Sequence, residues 1–340
     1  MSAENWLIEN YISGRLRLPD PVLNRVLDSA IALYYRFGRR LSRMPGKWGG
    51  ATGTIVPAGN RLMEVHYDQP LVVFENFLGE TLKYSMGLWN TGASSLNEAQ
   101  VAMMDDLCAK MELKDGHSVF DIGCGFGSFA ARVLERYPNS SVVGLTLSRT
   151  QADYIRDKQA EPGHPLNTPR FRLIEGDLND CEPNATFDRI VSIGVFEHVW
   201  NLRDALGRVS AWLNRGGACL LHYIVYKELI FRFANVHMQD TFVSRNIFPD
   251  SRFWHERELF NHQQHLRIER HWYIDGTNYS RTIREWRRNF LMNADFLRDA
   301  AGLDDRKIRI WSFYFAYTSA LFRAWRGRQV GNGQYLLRHA

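Results

Sequence analysis

Two sets of residues have the types and spacing to do chemistry: an adjacent acid and imidazole, Glu197 and His198, and an acid ahead of three closely spaced glycines, Asp121 with Gly123, Gly125 and Gly127. A carboxylate beside an imidazole can take a proton from one group and pass it to another. The pair can also do less, with Glu197 capping a helix start and His198 packing. The glycine series follows the apolar pair Val119-Phe120 and precedes an amphipathic segment. That order reads as a strand, a tight turn and a helix, with glycines that let a ligand lie against the backbone. Two ligand classes compete for such a loop. A dinucleotide favours Gly-x-Gly-x-x-Gly, because its pyrophosphate rests on the helix N-terminus. Here the third glycine comes one residue early and an acid precedes the first. S-adenosylmethionine has no phosphate, and its methionine amino group needs an acceptor, so it suits this loop better. A tight turn over a buried aspartate is the plain structural alternative.

Further stretches follow at the ends of later apolar runs. Thr146 lies in Gly144-Leu145-Thr146-Leu147-Ser148, with Gln151 shortly after. Glu175-Gly176-Asp177-Leu178 offers a carboxylate able to accept from an adenine amino group. Gly194-Val195-Phe196 leads into the Glu197-His198 pair. Singly, Ser148 and Gln151 read as a helix cap and Asp177 as a turn. Arriving in sequence on successive strand ends, they point to a nucleoside-like ligand along the carboxyl edge of one sheet.

Those positions need a scaffold of alternating strands and helices. Strands are predicted at 118–122, 141–145, 171–175, 189–193 and 218–225, with helices at about 127–137, from Ser148, and at about 202–213. Repeated strand-helix units with short loops imply an α/β fold with a parallel, doubly wound sheet. Residues 1 to about 45 pattern as helices, with Trp6, Leu7, Tyr11 and Ile12 on one face and Val22, Val26, Ala30, Leu33 and Tyr34 on another. Arg36, Arg39, Arg40, Arg43 and Lys47 follow, either as a solvated face or as a peripheral contact with a membrane surface or acidic partner. The Gly- and Pro-rich stretch 45–60 reads as a linker. A helix near 74–78 precedes one that starts at Ser95, with Glu98 completing a capping box. Residues 226–290 break the rhythm with many aromatics and histidines, Phe231, Phe233 and His237 among them, and are expected to cap the site. Helices at about 281–300 and 304–325 and a strand at 333–337 close the chain. The domain reading is a helical extension and cover over 1–110, a ligand-binding core over 111–225, a substrate cap over 226–290, and C-terminal helices with a last strand over 291–340.

Composition bounds the partners. The 340 residues are 45% hydrophobic and 23% charged, ordinary for a globular chain, with a net charge of +5 that singles out no partner. The four cysteines are scattered and neither they nor the histidines show metal-ligand spacing. Reduced thiols in a cytoplasmic chain, with no metal, are the expectation. No apolar run is long enough to cross a bilayer, and the N-terminus lacks a signal pattern. With no Asn-Pro-Pro-Tyr-type motif, nucleic acid is not an expected partner. Monomer and homodimer both remain open.

The chain resembles the cyclopropane-fatty-acid synthase family of S-adenosylmethionine-dependent methyltransferases, and within it the coclaurine N-methyltransferase-like branch. The resemblance is carried by HYDQPLVVFENFLGETLKYSMGLW, VFDIGCGFGSF, VVGLTLSRTQ, EGDLND, FDRIVSIGVFEHV, CLLHYIVYK, FVSRNIFPDS, GTNYSRTIREWRRNF and GNGQYLLRH, most of residues 65–340; the first 60 residues match weakly. It implies a Rossmann-like class I methyltransferase fold with an N-terminal helical extension and a helical, aromatic cap insertion. It also implies a cofactor site lined by Tyr84, Ser85, Gly123, Gly125, Thr146, Gln151 and Asp177, to which the loop and strand-end patterns add Asp121, Gly127 and Leu178. In the N-methyltransferase branch the Glu-His pair is the proposed acid-base element, which makes Glu197 and His198 catalytic candidates for methylating a small amine. In the synthase branch a bound bicarbonate removes the proton from a methylated alkene. It is held there by a cysteine, a glutamate, a histidine, an isoleucine and a tyrosine. Glu197, His222, Ile224 and Tyr279 are the counterparts of four, and Met86 stands at the cysteine position. N-methylation of an amine is therefore the leading expectation. C-methylation or cyclopropanation of an unsaturated acyl chain or isoprenoid is the alternative, with bicarbonate as its added cofactor.

Overall fold

The computed structural model describes residues 3–41, 53–57, 59–227, 242–249 and 251–340. Arg43, Lys47, much of the 45–60 stretch and the cap residues Phe231, Phe233 and His237 lie outside them.

Strands β1 (Ser118–Ile122), β2 (Ser141–Thr146), β3 (Phe171–Glu175), β4 (Phe187–Ile193) and β5 (Leu213–Tyr226) pair in parallel in the order β3-β2-β1-β4-β5. The two-residue β6 (Trp254–His255) pairs with the end of β5. Two antiparallel strands, β7 (Leu266–Asp275) and β8 (Val330–His339), extend the sheet in the order β5-β8-β7. The central strands carry near-continuous apolar runs because helices cover both faces; Val119, Phe120 and Ile122 of β1 are fully buried.

The helices are α1 (Ala3–Ile12), α2 (Asp20–Leu41), α3 (Gly59–Leu62), α4 (Leu71–Leu78), α5 (Leu96–Lys110), α6 (Ser128–Arg136), α7 (Arg149–Ala160), α8 (Leu202–Trp212), α9 (Phe242–Asn246), α10 (Gly276–Met292), α11 (Ala294–Ala301) and α12 (Asp305–Arg323). A π-helical turn, Met63–Tyr67, follows α3. The Ser95 hydroxyl accepts from the Glu98 N–H and starts α5; the Ser148 hydroxyl does the same for Gln151 and starts α7.

Three expectations change. The stretch 226–290 is not one cap, because Leu266–Asp275 forms β7 in the main sheet. A register shift between Ile268 and Arg270 breaks its period-two pattern, which is why the alternation does not stand out in the sequence. The helix expected at 281–300 begins instead at Gly276 and is divided at Asn293, whose amide donates to the carbonyls of Asn76 and Asn289. On α2, the buried face is Leu23, Leu27 and Ile31, one residue on from the expected series. Val26, Ala30 and Leu33 line a cavity and Val22 is exposed, since the apolar stripe is wider than the core it meets.

The N-terminal helices lie against the C-terminal ones through polar links. Arg287 forks onto Asp20 at 2.5 and 2.6 Å, Arg323 meets Asp28 at 2.8 Å, Arg306 faces Glu9 at 3.6 Å, and Arg309 donates to the Ile12 carbonyl at 3.0 Å. All four cysteines are free and buried. Among the described residues no helix is long and apolar enough to cross a membrane.

Candidate active site

The carboxyl ends of β1 to β4 open into a cavity of about 130 Å³. Gly123 and Gly125 line it from the β1 loop, Thr146 and Gln151 from β2 and α7, Asp177 and Leu178 after β3, and Gly194 and His198 after β4. Tyr67, Lys83 and Tyr84 close it from the N-terminal side. Gly123 and Gly125 have φ of +74° and +58°. A Cβ on Gly123 would come within 2.2 Å of Val195, whereas one on Gly125 would meet no atom within 4 Å. Gly125 thus leaves open space at the wall. Gly127 is off the wall; a Cβ there would sit 2.9 Å from Leu166, so this glycine serves packing beneath α6.

The polar groups of this cavity are held in place. The Thr146 hydroxyl donates to Gln151 Oε1 at 2.7 Å. Asp177 Oδ1 accepts from the Asn179 N–H at 2.7 Å, and Asn179 pairs both ways with the Val56 backbone. Asp121 is 1% exposed, and neither carboxylate oxygen has a partner. Burial pushes its carboxyl up to about 6, with the Lys83 charge pulling the other way. Ser85 is buried off the wall, its hydroxyl also unpartnered. Asp121, at the end of β1, is itself off the wall; the open space at Gly125 and the acid Asp177 on the wall fit the amino-acid and adenine ends of S-adenosylmethionine.

A second cavity, of about 690 Å³, adjoins the first, and Tyr67, Tyr84, Gly194 and His198 line both. Its walls are aliphatic on the α1 and α2 side (Leu7, Ile8, Leu23, Leu27, Ile31) and aromatic on the other (Phe248, Tyr279, Phe313, Tyr314). Glu197 is its acid. Oε1 accepts from the Ile224 N–H at 2.7 Å, while Oε2 is buried without a partner. Burial pushes this carboxyl up to about 7, against the pull of the Ile224 N–H. His198 Nδ1 lies 2.8 Å from the Ser251 hydroxyl and Nε2 lies 3.3 Å from the Tyr67 hydroxyl. Burial pushes its imidazole down to about 4, so it is neutral at physiological pH. Behind Tyr84, His66 Nε2 meets the tyrosine hydroxyl at 2.8 Å, and its ring stacks on Trp311.

Comparison with known proteins fits this geometry. Residues 58–328 match the mycolic acid cyclopropane synthetase family. The chain belongs to that family. Over 235 residues it is 30% identical to the probable (S)-tetrahydroprotoberberine N-methyltransferase 2 of Papaver bracteatum, covering 68% of this chain and 64% of that one. Over 261 residues it is 31% identical to the cyclopropane-fatty-acyl-phospholipid synthase of Escherichia coli K12, covering 76% and 63%. Each match therefore spans slightly less than two thirds of the relative's length. The solved structure of coclaurine N-methyltransferase bound to N-methylheliamine and SAH aligns with a TM-score of 0.86 at 22% identity, over 99% of this chain and 100% of that one, and shares the fold.

The cyclopropane synthetase family gives the remaining candidates a frame. Tyr279 and Ile224 lie on the wall of the larger cavity. His222 lies on neither wall. Its Nδ1 is 3.1 Å from Gln334 Nε2, whose own carbonyl accepts from Lys110 at 2.5 Å, and Nε2 is buried without a partner. Burial, helped by Lys83 and Lys110, pushes its imidazole down to about 3. Met86 is fully buried among core residues and touches neither cavity. The expected bicarbonate ligands therefore do not converge on one wall. Tyr67 and Lys83 line the smaller cavity without having been candidates from sequence, because neither sits in a spacing pattern. Their positions next to His66 and Tyr84, inside HYDQ and LKYS, are the only signals that could have found them.

Proposed function

We propose that this chain is an S-adenosylmethionine-dependent methyltransferase that methylates an amine held in the larger cavity. The observation that carries the reading is Glu197. It lines an apolar, aromatic-walled cavity that joins the smaller one across four shared residues, and its Oε2 is buried without a partner. S-adenosylmethionine, when bound, supplies a methyl group on a sulfonium. Asp177 would hold its adenine end, with Gly125 leaving room for the amino-acid end. Glu197, with a carboxyl near neutrality, takes the proton from the incoming ammonium and frees the nitrogen lone pair. The aromatic rings face the cation and exclude water. His198, held between Ser251 and Tyr67, stays neutral and orients the wall that both cavities share. In this reading residues 1–110 cover the cleft and residues 111–225 hold the cofactor.

The aliphatic α1 and α2 side of the cavity favours a second reading, methylation of an unsaturated acyl chain or isoprenoid. Incubation with methyl-labelled S-adenosylmethionine and separate pools of amines and unsaturated phospholipids distinguishes the two. Label in the amines is the expected result. Label in the lipids alone establishes the second reading, and label in neither, with S-adenosylhomocysteine still bound, overturns both.

A further inference from the structure

His198 meets a hydroxyl at each ring nitrogen, Ser251 at 2.8 Å from Nδ1 and Tyr67 at 3.3 Å from Nε2. Ser251 is buried, and Tyr67 lines both cavities. Among the described residues neither hydroxyl has a second hydrogen-bond partner. A hydroxyl with a single partner satisfies its hydrogen only by donating to that partner. Both hydroxyls therefore compete for the ring. A neutral imidazole has one acceptor nitrogen and one N–H, and burial keeps this one neutral. One hydroxyl must accept from the ring and keep its own hydrogen for another partner.

Distance separates the two. An O–H donor makes a shorter bond than an N–H donor, about 2.7–2.8 Å against about 2.9–3.0 Å to oxygen. The contact at Nδ1 has the shorter length and the contact at Nε2 is longer and weaker. Ser251 is also held firmly at the ring. The Arg252 N–H donates to the Glu197 carbonyl at 2.8 Å, and Trp254 Nε1 donates to the Phe196 carbonyl at 3.0 Å. The Arg252 guanidinium lies 3.8 Å from the centre of the Trp200 ring and 5.0 Å from that of Trp254. Residues 251–254 thus run along 196–200 and fix the serine against the imidazole.

We propose that Ser251 is a positioning residue that donates to His198 Nδ1, places the ring hydrogen on Nε2, and so makes the Tyr67 oxygen an acceptor whose own hydrogen is free to donate to a methyl acceptor where the two cavities meet. Only the use of that freed hydrogen rests on the methyltransferase reading; the tautomer does not. Without the serine hydroxyl, Tyr67 is the one donor left for the ring. The ring hydrogen then moves to Nδ1, and the phenol turns from the cavities to Nε2.

The test is nitrogen NMR of the full chain with labelled histidine, bound to S-adenosylhomocysteine, the His198 signals being those absent from His198→Gln. Wild type, Ser251→Thr and Tyr67→Phe are expected to carry the ring hydrogen on Nε2, and Ser251→Ala on Nδ1. A wild type with the hydrogen on Nδ1 overturns the proposal and needs no variant to fold. A Ser251→Ala chain that keeps it on Nε2 overturns it as well. Methyl transfer to the amine pool is expected to fall about fivefold in Ser251→Ala and in Tyr67→Phe, the scale of one hydrogen bond, to recover in Ser251→Thr, and to fall no further in the double variant. Losses that multiply in the double variant would mean that the two hydroxyls act independently, and overturn the coupling. Absence of label in the amines, with the tautomers as expected, overturns the amine reading alone and leaves the serine's hold on the ring established.

Discussion

The two cavities differ in how they are made. The smaller one is built mainly by loops at consecutive strand ends, from backbone, short polar side chains and the acid Asp177, and is closed by Tyr67, Lys83 and Tyr84. Its parts lie close to the strands that carry them. The larger one is assembled from α1, α2, α9, α10 and α12, drawn from both ends of the chain, and among the described residues its wall is apolar except at Glu197, His198 and a few hydroxyls. One site is set by local backbone geometry and the other by long-range helix packing. The wall of the larger cavity can therefore be remodelled, changing the acceptor, without disturbing the loops of the smaller one.

Perturbations that act on one cavity only will sharpen or break this contrast. Glu197→Gln should have the largest effect. Turnover should fall by about 10³-fold, as expected for loss of a proton acceptor, while calorimetry shows S-adenosylhomocysteine affinity within about twofold of wild type. In wild type the rate should rise with pH through about 7, because the carboxyl must ionise before it can accept a proton, and the glutamine variant should lose that rise. Gly125→Ala acts on the other side. A Cβ there enters open space at the wall, and φ of +58° costs an L-residue about 1 kcal/mol. Cofactor affinity should drop about tenfold, with the acceptor KM unchanged. Ala30→Trp, on the exposed flank of the larger cavity, should raise the KM of bulky acceptors a fewfold and leave cofactor binding alone; a shift in both would mean that the cavities are not separable. Asp20→Asn should have the smallest effect, under about 1 kcal/mol of stability, seen as faster proteolysis within residues 1–41. The Arg287 guanidinium holds the Asp20 carboxyl below its usual range. That link is accordingly complete above about pH 4 and is lost as pH falls through the lowered value.

The same contrast explains what could be read from sequence. Gly123, Gly125, Thr146, Gln151 and Asp177 were legible because each ends a strand or follows one within a few residues, and strand-loop-helix patterning is local. Strand β7 was hidden by its bulge at Ile268, which disrupts the alternation that identifies strands. The face of α2 could not be assigned because its apolar stripe serves both a core and a cavity, and only the packed fold divides them. Lys83, for all its place beside Tyr84, was not singled out because a lone lysine is ordinarily a surface residue. Its burial follows from the cover closing over the strand ends. Tyr67 and His198 come together across 131 residues of chain, a contact that no spacing rule reports.

The links between the N-terminal and C-terminal helices have one sign on each side. Glu9, Asp20 and Asp28 lie on the first two helices, while Arg306, Arg287 and Arg323 answer from the last ones. Added salt weakens contacts of this exposed kind together. The aliphatic wall of the larger cavity is thus held by the apolar packing of Ile12, Leu23, Leu27 and Ile31 and, at its margin, by a charged seam that loosens with ionic strength, while the buried polar groups around the β1 loop are shielded from the same change. Ionic strength becomes a variable that acts on how the acceptor enters and not on how the cofactor is held.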